Sequence, residues 1–107
     1  MYKIERTTRF DDWLKSLKDT IGRRRILARL DMLALGHWGD CKSVGDAVTE
    51  LRIHISPGYR VYCWQDGAVI VVALCGGDKD SQDRDIADAK VMAKQLQADA
   101  DVPARKN

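Results

Sequence analysis

The spacing of apolar residues changes once along the chain, and this change limits the possible folds more than any other feature. Near the N-terminus the apolar residues recur every three or four positions, the spacing of amphipathic helices. They do so in two groups: Phe10, Trp13, Leu14 and Leu17, and then Ile26, Leu27, Leu30 and Leu33. From Val48 onwards apolar and polar residues alternate, as they do in β-strands. We therefore expect a fold of the α+β class.

The two helical groups predict an antiparallel hairpin of short helices. We expect Gly22 to end the first helix and Gly36 to end the second, because glycine commonly follows the last turn of a helix. A third helix is predicted after Ser81. Its apolar face carries Ile86, Ala89, Ala93 and Leu96. Asp83 and Asp85 suit the positive N-terminal end of this helix.

The remaining apolar segments predict a short first strand and a later meander of three strands. They cover residues 2–4, 48–55, 59–64 and 68–74. Ser-Pro-Gly at residues 56–58 and Asp-Gly at residues 66–67 are common turn sequences and connect the last three. The predicted order is βααβββα, an antiparallel sheet on which an N-terminal helical hairpin and a C-terminal helix pack.

The length of 107 residues allows one compact domain but not two. We expect residues 1–98 to form this domain and residues 99–107, which are polar and contain Pro103, to form a disordered tail. No apolar run approaches the roughly 20 residues that a membrane helix needs. The charged N-terminus is unlike a signal peptide. These features predict a cytoplasmic protein without a membrane partner.

The three cysteines and two histidines are too widely spaced for the usual zinc motifs. Cys63 and Cys75 fall in predicted strands, where buried thiols act as small apolar side chains. We therefore predict neither a metal site nor a cofactor.

The polar face of the predicted meander carries the residues with the most chemistry. It presents Glu50, Arg52 and His54 on one strand, and Arg60, Tyr62 and Trp64 on the next. Lys79 follows the end of the last strand. Arginines bind phosphate oxygens in bidentate fashion, a carboxylate can act as general base, and aromatic rings stack on RNA bases. This face is either a phosphodiester site or the ordinary solvated side of an antiparallel sheet.

A second basic cluster lies on the second predicted helix. It contains Arg23, Arg24, Arg25 and Arg29. Residues 1–60 hold twelve basic and eight acidic residues, whereas residues 61–107 hold six and eight, so the net charge of +2 hides a basic N-terminal part. The cluster is either a solvated helix face or a patch for ribosomal RNA or an acidic partner segment.

An ordered set of motifs resembles one known family. The set consists of Phe10-x-x-Trp13-Leu14-x-x-Leu17, Gly39-Asp40-x-Lys42-x-Val44-Gly45, Glu50-Leu51-Arg52-Ile53, Pro57-Gly58-Tyr59-Arg60-Val61-Tyr62, Leu74-Cys75-Gly76-Gly77-Asp78-Lys79, Gln82 and Asp85-Ile86-x-x-Ala89. Over residues 2–97 the chain resembles the HigB-like "addiction module killer" branch of the RelE/ParE toxins. The ordered set, ending in Gly-Gly-Asp-Lys, is more specific than any one motif.

This resemblance implies a RelE-like fold and a growth-inhibiting toxin that an antitoxin, typically a helix-turn-helix protein, neutralises. It implies operator DNA as a partner only through that antitoxin. RelE-type members cut mRNA in the ribosomal A site without a metal, by attack of a 2′-hydroxyl on the adjacent phosphate. The products are a cyclic phosphate and a free 5′-hydroxyl.

The resemblance also implies roles for individual residues. Glu50 matches the base, Arg52 and Arg60 match phosphate-binding residues, and Lys79 matches a basic residue after the last strand. The predicted substrate contacts are Tyr62, His54, Gln82, Arg23 and Arg24. Many active members carry a tyrosine or histidine near the start of the last helix, but residues 80–86 contain neither. Lys79 is therefore the first candidate for the proton donor, and His54 is the second.

This departure leaves two alternatives to the RNase. ParE-type relatives share the fold, poison DNA gyrase and have no nuclease site; in such a protein Arg60 would be structural. A degenerate toxin would only bind its antitoxin and, through it, operator DNA.

Overall fold

A computed structural model describes residues 1–100 as five strands and three helices, which confirms the α+β class. In chain order the elements are β1 (Lys3–Arg6), α1 (Thr8–Ser16), α2 (Thr20–Ala34), β2 (Cys41–Gly45), β3 (Val48–Ile53), β4 (Tyr59–Asp66), β5 (Ile70–Gly77) and α3 (Gln82–Ala100). The strands form one sheet in the order β1-β5-β4-β3-β2. The sheet differs from the prediction in two ways: β2 was not expected, and β1 pairs with β5 in parallel rather than antiparallel.

Side-chain caps fix where the first two helices begin. Thr7 Oγ1 accepts a hydrogen bond from the Phe10 N–H at 3.0 Å, and Asp19 Oδ1 accepts one from the Gly22 N–H at 2.9 Å. The prediction that Gly22 ends the first helix is wrong, because this residue lies in the first turn of α2. A Cβ atom on Gly22 would lie 2.5 Å from the ring of Tyr59. The glycine therefore permits close packing of α2 on β4.

Both faces of the sheet are covered, which gives the protein two apolar cores. The core beneath α1 and α2 includes Phe10, Leu14, Ile26, Leu30, Leu33, Leu51, Ile53, Val61 and Cys63. The core beneath α3 includes Val48, Tyr62, Trp64, Val72, Leu74, Cys75, Ala89 and Ala93. Leu27 was expected to point inward but is 37% exposed. The predicted polar face of the meander is thus partly a core.

The last strand continues past its predicted end at residue 74, so that Gly76 and Gly77 both belong to β5. A Cβ atom on Gly76 would lie 2.3 Å from the ring of Trp13, and one on Gly77 would lie 1.9 Å from the Asp85 carboxylate. Because neighbouring strand residues face opposite sides of a sheet, the pair lets α1 and α3 approach β5 from both sides.

The C-terminal helix extends through Asp99 and Ala100, two residues past the predicted domain boundary. The rest of the predicted tail, residues 101–107, lies outside the described residues. Within residues 1–100, no helix is both long enough and apolar enough to span a membrane.

Candidate functional site

An open groove of about 470 Å³ lies where β3 and β4 meet their connecting turn, and four basic side chains border it. These are Arg52, His54, Arg60 and Lys79, together with residues 55–58 of the turn. We call this feature the basic groove. The structure thus brings together four residues that the sequence placed in the site.

The strand register places the two arginines next to each other. Arg52 pairs with Arg60 across β3 and β4, and Glu50 pairs with Tyr62 two positions away. Side chains opposite each other in antiparallel strands share a face, and like charges there repel. Glu50 Oε1 accepts a hydrogen bond from Arg52 Nε at 3.1 Å, which offsets one of the two charges. The Nε of Arg60 is buried and has no hydrogen-bond partner among residues 1–100.

Glu50 lies at the centre of a buried hydrogen-bond network. It is fully buried. Its Oε2 accepts hydrogen bonds from the Tyr62 hydroxyl at 3.0 Å and from Gln82 Nε2 at 2.9 Å. Burial raises the pKa of Glu50, but these hydrogen bonds, the one from Arg52 and the charge of Arg60 lower it below its ordinary value of 4.5. The carboxylate therefore stays ionised with both oxygens occupied.

Tyr62 serves this network as a donor. Burial and the neighbouring Glu50 raise the pKa of its phenol, so the proton stays on the oxygen. Because the ring is completely buried, no face of it is open to an RNA base in this structure. Gln82, in the first turn of α3, is half-buried and joins the same network.

Lys79 is positioned by the loop between β5 and α3. Asp78 Oδ1 accepts hydrogen bonds from the backbone N–H groups of Asp80 and Ser81, at 2.9 and 3.3 Å. The aliphatic part of Lys79 packs on Gly58, where a Cβ atom would lie 3.0 Å from Lys79 Cε. Gly58 also has φ +86°, a conformation that favours glycine. Lys79 thereby borders the basic groove.

His54 follows the end of β3, and its Nε2 contacts Asp40 Oδ2. Hydrogen bonding to His54 lowers the pKa of the Asp40 carboxyl. Asp40 was not among the predicted site residues. It lies immediately before β2, and the pairing of β2 with β3 brings it to His54. Its motif position was visible, but without that strand nothing in the sequence indicated this contact.

The other predicted substrate contacts, Arg23 and Arg24, lie away from the basic groove. They border a separate groove of about 300 Å³ that Leu14 and Leu27 also line. Arg29, from the same basic cluster, donates hydrogen bonds to the backbone carbonyls of Arg52, Trp38 and Asp40. Arg29 therefore ties α2 to the sheet, while Arg23 and Arg24 form no part of the groove.

Two of the three thiols in the sheet are unsuited to nucleophilic chemistry, whereas Cys41 on the edge strand β2 is exposed. Cys63 and Cys75 are buried, as predicted, and burial raises the pKa of each to about 12. Within residues 1–100, no three or more His, Cys, Asp or Glu side chains are grouped so that they could hold a metal ion. The side chains that line the basic groove offer guanidinium, ammonium, imidazole and hydroxyl groups.

Comparison with known proteins places the whole site within one family. Residues 12–97 match the model of the family described as "Phage derived protein Gp49-like (DUF891)". The chain is also 47% identical over 94 residues to an uncharacterised protein of Haemophilus influenzae, covering 88% of this chain and 95% of the relative. Both matches span β3, β4 and most of α3, and the family match alone covers most of the described residues. The chain therefore belongs to the Gp49-like family of phage-derived proteins.

Proposed function

We propose that this chain is the toxin of a type II toxin–antitoxin pair, with a RelE-like fold, and that it cleaves mRNA in the ribosomal A site. The Gp49-like family is toxin-like and related to the addiction module killer proteins. The RNase activity is the further step, and the basic groove supports it.

The observation that carries this proposal is the pairing of Arg60 with Arg52 in an open groove. Two adjacent guanidiniums repel each other, and the buried Nε of Arg60 has no partner among residues 1–100. Arg60 as a whole is half-buried, and it lines the open groove beside Arg52. A phosphate group in the groove would accept hydrogen bonds from the accessible parts of the guanidiniums and supply the missing negative charge. The site is therefore better suited to a bound phosphodiester than to an empty surface.

The basic residues can then support cleavage of the RNA backbone. A 2′-hydroxyl oxygen attacks the adjacent phosphorus, and the bond from phosphorus to the 5′-oxygen breaks. Arg52 and Arg60 stabilise the negative charge that develops on the phosphoryl oxygens. Lys79 protonates the leaving 5′-oxygen. The products are a 2′,3′-cyclic phosphate and a 5′-hydroxyl.

The geometry favours a positioning role for Glu50 over the predicted role of general base. A base must reach the proton that it removes, and its pKa should lie near the working pH. Glu50 is completely buried, its two oxygens accept three hydrogen bonds, and its pKa is below the ordinary value. It holds Arg52 and Gln82 in place instead.

The proposed partners follow from the same function. A cognate antitoxin, of the helix-turn-helix type, would neutralise the toxin and alone connect it to operator DNA. The exposed Arg24 belongs to the surface that we propose for ribosomal RNA or an acidic antitoxin segment. Action on ribosomes places the protein in the cytoplasm.

Expression of the chain in a bacterial host, with and without Arg60→Ala, tests the proposed function. We expect the wild type to arrest growth and to create new mRNA 5′ ends inside translated frames. Loss of a transition-state donor typically slows a reaction by about 10²–10³-fold, so Arg60→Ala should abolish both effects while still binding the antitoxin. Arg84→Ala, which removes an exposed arginine of α3 outside the groove, is the matched control and should remain toxic.

Two other results would overturn the RNase, and a third would overturn the role of Arg60. Intact mRNA with accumulating gyrase-dependent DNA breaks would identify a gyrase poison, and normal growth would identify an inactive antitoxin-binding partner. Arrest by Arg60→Ala with unchanged mRNA cleavage would remove this arginine from the mechanism.

A further inference from the structure

A second polar pair borders the basic groove besides the arginines. The His54 side chain is 73% exposed, and its Nε2 contacts the Asp40 carboxylate. The buried Glu50 cannot reach a substrate, whereas His54 lines the groove together with Arg52, Arg60 and Lys79. The proposed cleavage still needs a group that removes the proton from the 2′-hydroxyl.

We propose that His54 is this general base and that Asp40 is its positioning residue. This inference rests on the RNase function proposed above. It assigns the proton-accepting step to a residue at the end of β3 and names a partner that lies 14 positions earlier in the chain.

The contact with Asp40 selects which ring nitrogen is free. A neutral imidazole carries one N–H donor and one unprotonated acceptor, and a bonded carboxylate fixes which nitrogen is which. Because Nε2 faces the Asp40 carboxylate, which can only accept, Nε2 carries the N–H and donates a hydrogen bond to Asp40. Nδ1 is then the acceptor, which is the form that a general base requires.

Asp40 is held firmly enough to orient the imidazole. Its backbone carbonyl accepts hydrogen bonds from the Arg52 N–H at 3.1 Å and from Arg29 Nη2 at 2.9 Å. One of these bonds comes from β3 and the other from α2. The position of Asp40 is therefore set by the sheet and a helix rather than by the loop alone.

Groups of this chain accept and supply both protons that the cleavage step transfers. His54 Nδ1 accepts the 2′-hydroxyl proton as the 2′-oxygen bonds to phosphorus. The 5′-oxygen leaves with a proton from the Lys79 ammonium group. The imidazolium and the neutral lysine then return to their starting states by exchange with water.

The charges around His54 are predominantly positive. Asp40 contacts the ring, while the basic groove and an adjoining groove bring arginine and lysine side chains from α2, β3, β4 and the loop before α3. These are Arg25, Arg29, Arg52, Arg60 and Lys79. Asp40 is the negative group that opposes them at the imidazole.

The pH dependence of cleavage by the purified chain tests the inference. Single-turnover cleavage of mRNA on programmed ribosomes should slow as the pH falls, because a general base must be unprotonated to accept a proton; this decrease is the acid limb of the profile. Positioned bases contribute about 10²–10⁴-fold, so His54→Gln should cut the rate by at least 10²-fold and remove this acid limb. His37→Gln changes the other histidine, which is exposed outside the groove, and should keep both rate and limb.

Asp40→Asn tests the positioning role separately. It should slow cleavage about tenfold or more, and it should change the imidazole nitrogen signals of His54 in NMR spectra while leaving those of His37 unchanged. A purely structural role would alter stability but not the ring's tautomer.

The outcomes separate this inference from the function on which it rests. Cleavage by the wild type with an unchanged rate and acid limb in His54→Gln would overturn the role of His54 and leave the RNase intact. No cleavage by the wild type would overturn both. Unaltered His54 signals in Asp40→Asn would remove Asp40 from the mechanism.

Discussion

At the scale of single residues, Glu50 shows how a buried charge can be maintained next to the basic groove. Its carboxylate accepts hydrogen bonds from Arg52, Tyr62 and Gln82, which belong to β3, β4 and α3. Without these donors, burial would favour the neutral form. Since a depressed pKa stabilises the folded state above the ordinary pKa, Glu50 contributes to stability at neutral pH.

Glu50→Gln should destabilise the protein by about 1–3 kcal/mol at neutral pH, because a glutamine amide leaves at least one buried donor unsatisfied. The free energy of unfolding in urea measures this loss. The matched control is Glu5→Gln, which changes the other, exposed glutamate and should have little effect.

The stability lost in Glu50→Gln should also depend on pH. The pKa of Glu50 is lowered in the folded state, so its contribution is complete above the ordinary value of 4.5 and is lost as the pH falls through the folded value. The difference in stability between wild type and Glu50→Gln should therefore shrink below about pH 4.5. A difference that stays constant down to acid denaturation would show that the charge of Glu50 is not responsible.

At the scale of elements, the hairpin of β2 and β3 is the main feature that the sequence did not reveal. Its turn residues, Asp46 and Ala47, have φ of 54° and 64°, as in two-residue hairpin turns that usually contain Asn-Gly or Asp-Gly. Asp-Ala lacks that signature. Four of the five residues of β2 are exposed, because β2 is an edge strand. Neither its turn nor its apolar pattern could be recognised.

The elements with strong local signals were predicted better. The alternation in β3 and β4 and the helical spacing in α1 and α3 indicated those elements. The covering of the second sheet face was missed, because Tyr62 and Trp64 are amphipathic and only α3 decides whether they are buried.

For the site, the strand period indicated Glu50, Arg52, Arg60 and Tyr62. The contact of Asp40 with His54 depends on β2 and was missed with it.

Ala47→Gly should stabilise the hairpin. A positive φ costs a residue with a Cβ atom roughly 1–2 kcal/mol, and the extra freedom of glycine in the unfolded chain returns about 0.4–1 kcal/mol of this. We expect a net gain of about 0.5–1 kcal/mol in thermal or urea unfolding. Ala68→Gly, at an exposed position of the β4–β5 turn without positive φ, is the control and should destabilise slightly. A loss of stability in Ala47→Gly would contradict the assigned turn.

At the scale of the whole molecule, the fold leaves the basic groove open at the end of a sheet that helices cover on both faces. The apolar cores hold β3 and β4 rigidly, and the basic groove lies where these strands meet their turn. Rigid strands can hold two guanidiniums side by side at a spacing that loops would not maintain. Binding of a phosphodiester, as proposed, would offset the repulsion between them.

The chemical nature of the RNA ends tests most directly whether this groove cleaves RNA. The purified chain, and Arg60→Ala beside it, would be incubated with mRNA-programmed ribosomes, and the fragments would be analysed for their termini. Attack by the 2′-hydroxyl predicts a 2′,3′-cyclic phosphate upstream and a 5′-hydroxyl downstream, with neither formed by Arg60→Ala. Intact mRNA, or fragments with a 5′-phosphate, would contradict cleavage in the basic groove.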